Sequence, residues 1–249
     1  IAVLGSGIMG GGIAQVAALV GFAVRLYDVE AGFLAKNLDK IKASIKKGVD
    51  LGKTDAAKAE RAYGLLSTTT DLAAAVTDAD FVIEAVPEKL DLKRKIFAEC
   101  ERVTRPGVVL ATNTSSLMIS AIAEGVKDPG RVIGMHFFNP VPIMKLIEIV
   151  IGPQSSQDAL LRTEFVSHAM GKETVRVKEA PGFATSRINA LIGLEAFRML
   201  EAGIATAEDI DKALKLGLNH PMGPFEMADL VGLDTRLSTI KYLHSTLGE

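Results

Sequence analysis

The sequence predicts an α/β protein with a doubly wound, mainly parallel sheet, followed by a second, smaller all-helical domain. Short β-branched runs alternate with helix-length segments through roughly the first 180 residues. These runs are apolar almost throughout, as strands are when helices cover both faces of a parallel sheet. No further strand-like run follows, which predicts a boundary between residues 1–180 and 181–249.

The first domain is predicted to alternate strands with helices in chain order. Strands are expected at 1–4, 23–27, 81–85, 108–112, 131–135, 146–151 and 174–177. Helices are expected at 8–20, 31–49, 90–103 and 156–170. The second domain should hold helices at 183–202, 206–216 and 225–247, with Thr206 as a cap and Gly203 as a stop.

Composition excludes several classes of protein. The 249 residues are 48% hydrophobic and 23% charged, with a net charge of −2, so no overall field attracts nucleic acid or an anionic membrane. Residues 1–24 carry no charged side chain, but six glycines make a membrane span or a signal peptide a poor interpretation. The single cysteine, Cys100, permits no intrachain disulfide, and no metal-ligand spacing occurs. We expect a cytoplasmic protein without a metal, whose sequence is trimmed at both ends.

A glycine-rich turn lies directly between the first strand and the first helix. It comprises Gly5, Ser6, Gly7, Ile8, Met9 and Gly10 and follows the GxGxxG pattern. In a Rossmann-type domain the three glycines permit a tight turn, close approach to a pyrophosphate, and close packing of helix on strand. A turn selected for packing alone is the competing interpretation.

The second strand leads into Asp28, 18 residues after Gly10. A carboxylate at this point accepts hydrogen bonds from the adenosine ribose hydroxyls and repels a 2′-phosphate. Arg25 comes three residues too early to be the usual partner of that phosphate. The predicted cofactor is therefore NAD rather than NADP.

Polar side chains follow three later strands, at the sheet edge where doubly wound folds bind ligands. Glu88 and Lys93 follow the third predicted strand, residues 113–116 (NTSS) follow the fourth, and residues 136–140 (HFFNP) follow the fifth. Their convergence at one edge predicts a chemical site.

His136 is the candidate general base, because histidine titrates near neutral pH and can take a proton from a hydroxyl. Glu148 is the candidate partner, since a carboxylate in so apolar a strand is costly unless it is paired. The alternative is an edge-strand Glu148 facing solvent and a purely structural His136.

Two further features have open interpretations. The Ser115 hydroxyl could bind the reacting oxygen. A role as nucleophile fits the sequence less well, since no G-x-S-x-G motif surrounds Ser115. Residues 113–115 also form a glycosylation sequon. Residues 36–61 hold eight basic side chains against four acidic ones, which fits coenzyme A phosphates and a solvated helix face equally well.

With these residues assembled, the sequence resembles the 3-hydroxyacyl-CoA dehydrogenase family, and in particular the bacterial 3-hydroxybutyryl-CoA dehydrogenases. The matching stretches are VLGSGIMGGGIAQVAA, FVIEAVPEKLDLK, ATNTSS, GMHFFNPVPIMKLIEIV and HPMGPFEMADLVGLD. The related β-hydroxyacid dehydrogenases share the glycine-rich start but use a lysine base and lack HFFNP.

The resemblance implies a role for each candidate site residue. His136 would be the general base and Glu148 its orienting carboxylate, while Ser115 would contact both substrate and nicotinamide. Glu88, Lys93 and Asn113 would lie at the cofactor. Asn139 would lie near the reacting carbon and the cofactor. Ser44 would lie beside coenzyme A, so the basic side chains of residues 36–61 would in part bind the coenzyme A phosphates. The helical domain would close over an acyl-CoA such as acetoacetyl-CoA or 3-hydroxybutyryl-CoA and would carry a homodimer interface. Family members would continue for some thirty residues beyond the end of this sequence.

One departure from the family pattern concerns Ser186, which replaces the asparagine of G-F-x-x-N-R. Ser186, acting through a water, or Asn189 one turn later could supply the missing contact. Two other functions remain possible: a dehydrogenase of a hydroxy acid without coenzyme A, and a crystallin-like protein that keeps the NAD site without turnover.

Overall fold

The computed structural model describes residues 1–248, and the chain divides into two compact units. The first unit spans Ile1–Glu179 and holds every strand of the described chain, while the second begins at Ala180 and holds only helices. The predicted fold class is confirmed.

Eight strands of the described residues form one sheet. They are β1 (Ala2–Leu4), β2 (Val24–Tyr27), β3 (Leu66–Thr69), β4 (Phe81–Glu84), β5 (Val109–Thr112), β6 (Val132–Phe137), β7 (Leu146–Ile151) and β8 (Glu173–Lys178). Their spatial order is β3-β2-β1-β4-β5-β6-β7-β8, and neighbours from β3 to β6 run parallel. β7 pairs with β6 in the antiparallel direction, and β8 runs parallel to β7.

The helices of the first unit cover this sheet. They are α1 (Ile8–Leu19), α2 (Ala31–Asp50), α3 (Ala56–Leu65), α4 (Leu72–Val76), α5 (Leu90–Val103), α6 (Ile119–Ala123) and α7 (Gln157–Ala169). Apolar side chains of strands and helices, such as Val3, Ile13 and Ile133, are completely buried between the layers. The strands are apolar almost throughout, so the few polar side chains within them, such as His136 and Glu148, stand out from the core.

The second unit consists of four helices within the described chain. They are α8 (Thr185–Glu201), α9 (Ala207–Gly217), α10 (Pro224–Val231) and α11 (Leu233–Leu247). The single helix predicted over 225–247 is wrong, because Gly232 adopts a φ of 94° and separates α10 from α11. As predicted, Thr206 caps α9: its hydroxyl accepts a hydrogen bond from the Asp209 N–H.

Further differences concern the first unit. β3 and the helices α3, α4 and α6 were not predicted. β6 extends two residues beyond its predicted end, so His136 lies inside the strand rather than after it. This register places His136 directly opposite Glu148 of β7.

Candidate functional site

The glycines of the turn allow close backbone packing at Gly5 and Gly10 and leave open space at Gly7. Gly5 has a φ of +98°, and a Cβ there would lie 2.6 Å from the Ala85 carbonyl oxygen. A Cβ on Gly10 would lie 1.8 Å from the Gly5 carbonyl oxygen, so helix and strand can pack this closely only with glycine. Gly7, the N-cap of α1, has nothing within 4 Å of that position, and the first turn of α1 has no acidic side chain. The arrangement fits a pyrophosphate at the helix N-terminus.

Asp28 stands immediately after β2 and is held in place by the same turn. Its Oδ2 accepts hydrogen bonds from the Ser6 N–H (2.8 Å) and the Ser6 hydroxyl (2.7 Å), while its Oδ1 accepts from the Val29 N–H (2.9 Å). Asn37, which sequence reasoning missed, donates to the Ser6 hydroxyl from α2. Since a carboxylate offers about four acceptor positions, Asp28 can still accept a further hydroxyl.

His136 and Glu148 form a buried pair across β6 and β7. His136 Nδ1 lies 2.8 Å from Glu148 Oε2, and Glu148 is completely buried. With Glu148 as an ionised acceptor, Nδ1 would carry the proton and Nε2 would be the basic nitrogen of the ring. The Phe138 ring lies 4.5 Å from the imidazole, measured between centroids.

The loop after β5 adjoins this pair. Asn113 accepts a hydrogen bond through Oδ1 from the Phe137 N–H (2.9 Å), which ties the loop to the residue following His136. The next three residues, Thr114, Ser115 and Ser116, turn toward Glu88. Its Oε1 accepts from the Thr114 hydroxyl, from the Ser115 N–H (3.1 Å) and from the Ser116 hydroxyl (3.3 Å).

Lys93 connects Glu88 to a second carboxylate. Its ammonium group lies 3.2 Å from Glu88 Oε2 and 2.7 Å from an oxygen of Glu84, which sequence reasoning missed because it is the last residue of an apolar strand. Lys93 is only 1% exposed, so its ammonium faces these carboxylates rather than open solvent.

The two carboxyl groups respond differently to these surroundings. Burial raises the pKa of Glu84, against the opposing effect of Lys93. For Glu88, burial acts in the same direction, but Lys93 and the hydrogen bonds from Thr114 and Ser115 outweigh it and lower its pKa below the ordinary value.

A cleft of about 1060 Å³ opens beside the glycine-rich turn. Ser44 and Asn139 both line it. Asp55 is the one acidic residue among its described walls. The basic residues that line the cleft are Lys40, Lys47, Lys53, Lys58, Lys145 and Lys172. The cleft therefore has an excess of positive charge although the protein as a whole is weakly acidic.

Lys172 was also missed from sequence, where it occurs in an ordinary turn after α7. Its buried ammonium donates to the backbone carbonyls of Val141 (2.5 Å) and Met144 (2.7 Å). Desolvation lowers its pKa. Lys172 thereby holds the loop that follows β6 and carries Asn139.

Ser186 and Asn189 belong to the second unit, in the first turns of α8. Ser186 is half-buried, whereas Asn189 is exposed and accepts a hydrogen bond at its backbone carbonyl from Arg236 (3.0 Å). Their part in a site shared with the first unit stays a prediction.

Comparison with known proteins decides the family. Residues 1–180 match the family model "3-hydroxyacyl-CoA dehydrogenase, NAD binding domain", and residues 182–249 match "3-hydroxyacyl-CoA dehydrogenase, C-terminal domain". The chain belongs to the 3-hydroxyacyl-CoA dehydrogenase family. The resemblance read from the sequence and the prediction of NAD as cofactor are both confirmed, as is the predicted class of enzyme, an NAD-dependent oxidoreductase.

Individual relatives agree with this assignment. The chain is 45% identical over 237 residues to 3-hydroxybutyryl-CoA dehydrogenase of Mycobacterium tuberculosis, covering 94% of this chain and 82% of the relative. It is 42% identical to the probable 3-hydroxybutyryl-CoA dehydrogenase of Bacillus subtilis, covering 100% and 86%. The crystal structure of (S)-3-hydroxybutyryl-CoA dehydrogenase PaaH1 from Ralstonia eutropha superposes with a TM-score of 0.96 at 37% identity, covering 100% and 87%.

Two further features are absent from residues 1–248. No helix there combines the length and apolar character that a membrane span requires. Nor do His, Cys, Asp and Glu side chains of these residues gather in groups of three that could hold a metal ion.

Proposed function

We propose that this enzyme interconverts a short-chain 3-hydroxyacyl-CoA and the corresponding 3-ketoacyl-CoA, with His136 as general base. The observation that carries the proposal is the 2.8 Å contact between His136 Nδ1 and the fully buried Glu148. An imidazole oriented by a carboxylate is suited to accept a hydroxyl proton, because the carboxylate fixes the tautomer and stabilises the imidazolium that forms.

The cofactor would be held along the sheet edge. The α1 N-terminus at Gly7 would bind the pyrophosphate, together with the backbone of Ile8 and Met9, and Asp28 would accept the ribose hydroxyls. Glu88 and Ser115 would lie at the nicotinamide half, with Asn113 and Asn139 beside them. When bound, NAD supplies the acceptor for the hydride that leaves C3 of the substrate.

In the proposed reaction, His136 Nε2 takes the proton of the 3-hydroxyl group. Glu148 holds the opposite ring nitrogen and balances the positive charge that develops on the imidazole. The Ser115 hydroxyl donates a hydrogen bond to the reacting oxygen, and Ser186 contributes through a water. In the reverse direction, the imidazolium returns the proton to the keto oxygen.

The basic cleft favours coenzyme A as the carrier of the acyl group. Its lysines, among them Lys47 and Lys53, would attract the coenzyme A phosphates, and Ser44 would lie beside them. Acetoacetyl-CoA and 3-hydroxybutyryl-CoA are the substrates we propose. The helical unit would close over the acyl group and form a homodimer, and the cytoplasmic location expected from the sequence stays a prediction.

Steady-state assays with paired substrates test this function. We expect rapid NADH oxidation with acetoacetyl-CoA, slower oxidation with longer ketoacyl-CoAs, and very slow oxidation with free acetoacetate, because the free acid lacks the phosphates that the cleft attracts. Comparable kcat/KM values for acetoacetate and acetoacetyl-CoA would contradict the proposal and favour a hydroxy-acid dehydrogenase. An absence of turnover with all of them would favour a non-enzymatic relative.

A further inference from the structure

Glu84 is a completely buried carboxylate for which the proposed reaction has no direct use. It is the last residue of β4, and each of its two oxygens has protein partners. Oε1 accepts from the Val86 N–H (2.7 Å), while the Lys93 ammonium lies 2.7 Å from Oε1 and 2.9 Å from Oε2. A carboxylate so completely enclosed is costly to bury, so the arrangement demands an explanation beyond packing.

One chain of hydrogen bonds leads from Glu84 to the loop after β5. The Thr112 hydroxyl donates to Glu84 Oε2 (2.7 Å). The same hydroxyl oxygen accepts from the Thr114 N–H (3.2 Å). Since a hydroxyl has only one hydrogen, the carboxylate at position 84 directs the Thr112 lone pairs toward the Thr114 amide.

A second chain reaches the same loop through charge. Lys93 bridges Glu84 and Glu88, and Glu88 Oε1 accepts from the Thr114 hydroxyl, the Ser115 N–H and the Ser116 hydroxyl. Lys93 therefore stands between a buried carboxylate and one that is partly exposed. Its position, and with it that of Glu88, depends on the charge at position 84.

We infer that Glu84 is a positioning residue for the loop of residues 114–116, acting through Thr112 on one side and through Lys93 and Glu88 on the other. The inference rests on the proposed function, in which Ser115 contacts both substrate and nicotinamide. Glu84 itself touches neither. Its carboxylate keeps Lys93 at the base of the site, so that Glu88 can hold the Ser115 amide.

Removing the charge while keeping the shape has a defined consequence. In Glu84→Gln, Lys93 is left with Glu88 as its carboxylate partner, and we expect the ammonium to move toward it. Hydrogen bonding from the loop to Glu88 then weakens, and the 114–116 loop loosens. Thr112→Val removes only the first chain and leaves both carboxylates paired, so it should have the same effect to a smaller degree.

The experiment compares Glu84→Gln, Thr112→Val and Ser115→Ala with Arg131→Met as a matched control. Arg131 is another buried charged residue, which donates to the Val108 carbonyl and the Thr104 hydroxyl at the opposite end of β5. NAD affinity is measured by calorimetry, turnover of acetoacetyl-CoA by steady-state kinetics, amide hydrogen exchange over residues 114–117 by mass spectrometry, and stability by urea unfolding.

We expect Glu84→Gln to weaken NAD binding about tenfold and to accelerate exchange over residues 114–117, because charge-assisted hydrogen bonds to the loop are lost. The control should lose stability with neither change. Suppose that Ser115→Ala loses turnover, while Glu84→Gln and Thr112→Val both bind NAD normally and show the wild-type rate of amide hydrogen exchange over residues 114–117. The inference is then overturned and the proposed function stands. If Ser115→Ala turns over substrate normally, the proposed role of Ser115 fails, whatever the loop exchange shows.

Discussion

At the scale of single residues, the His136–Glu148 pair yields the sharpest expectation for activity. Replacing His136 by Gln should lower kcat by roughly 10²–10⁴, while NAD still binds, because the general base is lost and the cofactor contacts remain. Glu148→Gln should lower kcat less, and the double variant should resemble His136→Gln alone, because both residues serve one proton transfer.

His168→Gln is the matched control for the kinetic assay. His168 is an exposed histidine of α7 whose Nδ1 contacts the Lys172 carbonyl (3.1 Å), a contact that glutamine can also make. Its kcat should equal that of the wild type. A near-normal kcat in His136→Gln would contradict the proposed role of His136 as general base.

Asp28 determines the expected preference between the two nicotinamide cofactors. The carboxylate is fixed by Ser6 and Val29, so it cannot easily turn away from a 2′-phosphate. We expect kcat/KM for NAD to exceed that for NADP by about tenfold or more, since one unfavourable charge contact is worth roughly 1.4 kcal/mol or above. Asp28→Ser should narrow the ratio, and equal values for the wild-type enzyme would contradict this assignment.

Sequence reasoning found those site residues whose chemistry conflicts with their surroundings. Glu148 was noticed because a charge interrupts an apolar strand, and the structure pairs it with His136. Glu84 interrupts a strand in the same way but stands at its end, where a polar residue is common. Lys172 could not be found either, because its partners are backbone carbonyls that no sequence motif specifies.

At the scale of secondary-structure elements, Glu88 makes the loop between β5 and α6 sensitive to pH. The pKa of Glu88 is lowered in the folded protein, so the stability that its charge contributes is present above its ordinary carboxyl pKa. That contribution is lost as the pH falls through the lowered value.

Glu88→Gln should therefore be less stable than the wild type at neutral pH. The difference should shrink as the pH falls below the ordinary carboxyl range. Urea unfolding of both proteins across acidic pH measures it. If the difference in the free energy of unfolding grew on acidification, the pKa of Glu88 would be raised rather than lowered in the folded protein.

Helix α8 presents two candidates for the contact that the family's asparagine makes. Ser186 lies in the first turn and is half-buried, while Asn189 is exposed and lies one turn further along. Ser186→Ala should lower kcat about tenfold, because the serine hydroxyl is needed to hold the water that contacts the substrate oxygen. Such a water-mediated hydrogen bond is nearly as favourable as a direct one. Asn189→Ala should change little and Ser186→Asn should be tolerated. Loss of activity in Asn189→Ala alone, at unchanged stability, would move the role along the helix.

The elements that sequence reasoning missed have weak patterns. β3 reads LSTT, with one apolar residue in four, because it is an edge strand and half exposed. α4 and α6 have five residues each, too few for a helical period to appear. The break at Gly232 was hidden because a single glycine inside an apolar helical pattern is often tolerated, and only its positive φ ends the helix.

At the scale of the whole molecule, the proposed homodimer rests on apolar side chains that the helical unit exposes. Leu230 near the end of α10 and Leu233 and Leu237 of α11 are among them. Residues 233 and 237 are one helical turn apart and share a face. We propose this face as the interface, since single scattered leucines need no partner but clustered ones do.

A charge placed on this surface should dissociate the dimer. Leu237 is 51% exposed, so Leu237→Glu should fold normally but bury a carboxylate in any interface formed there, at a cost large enough to separate the subunits. Leu161→Glu is the matched control, because Leu161 of α7 is also 51% exposed but belongs to the other unit. Sedimentation velocity should show a dimer for the wild type and for Leu161→Glu, and a monomer for Leu237→Glu. A wild-type monomer would refute the dimer itself, whereas a dimer in Leu237→Glu would mean that the subunits meet on another surface.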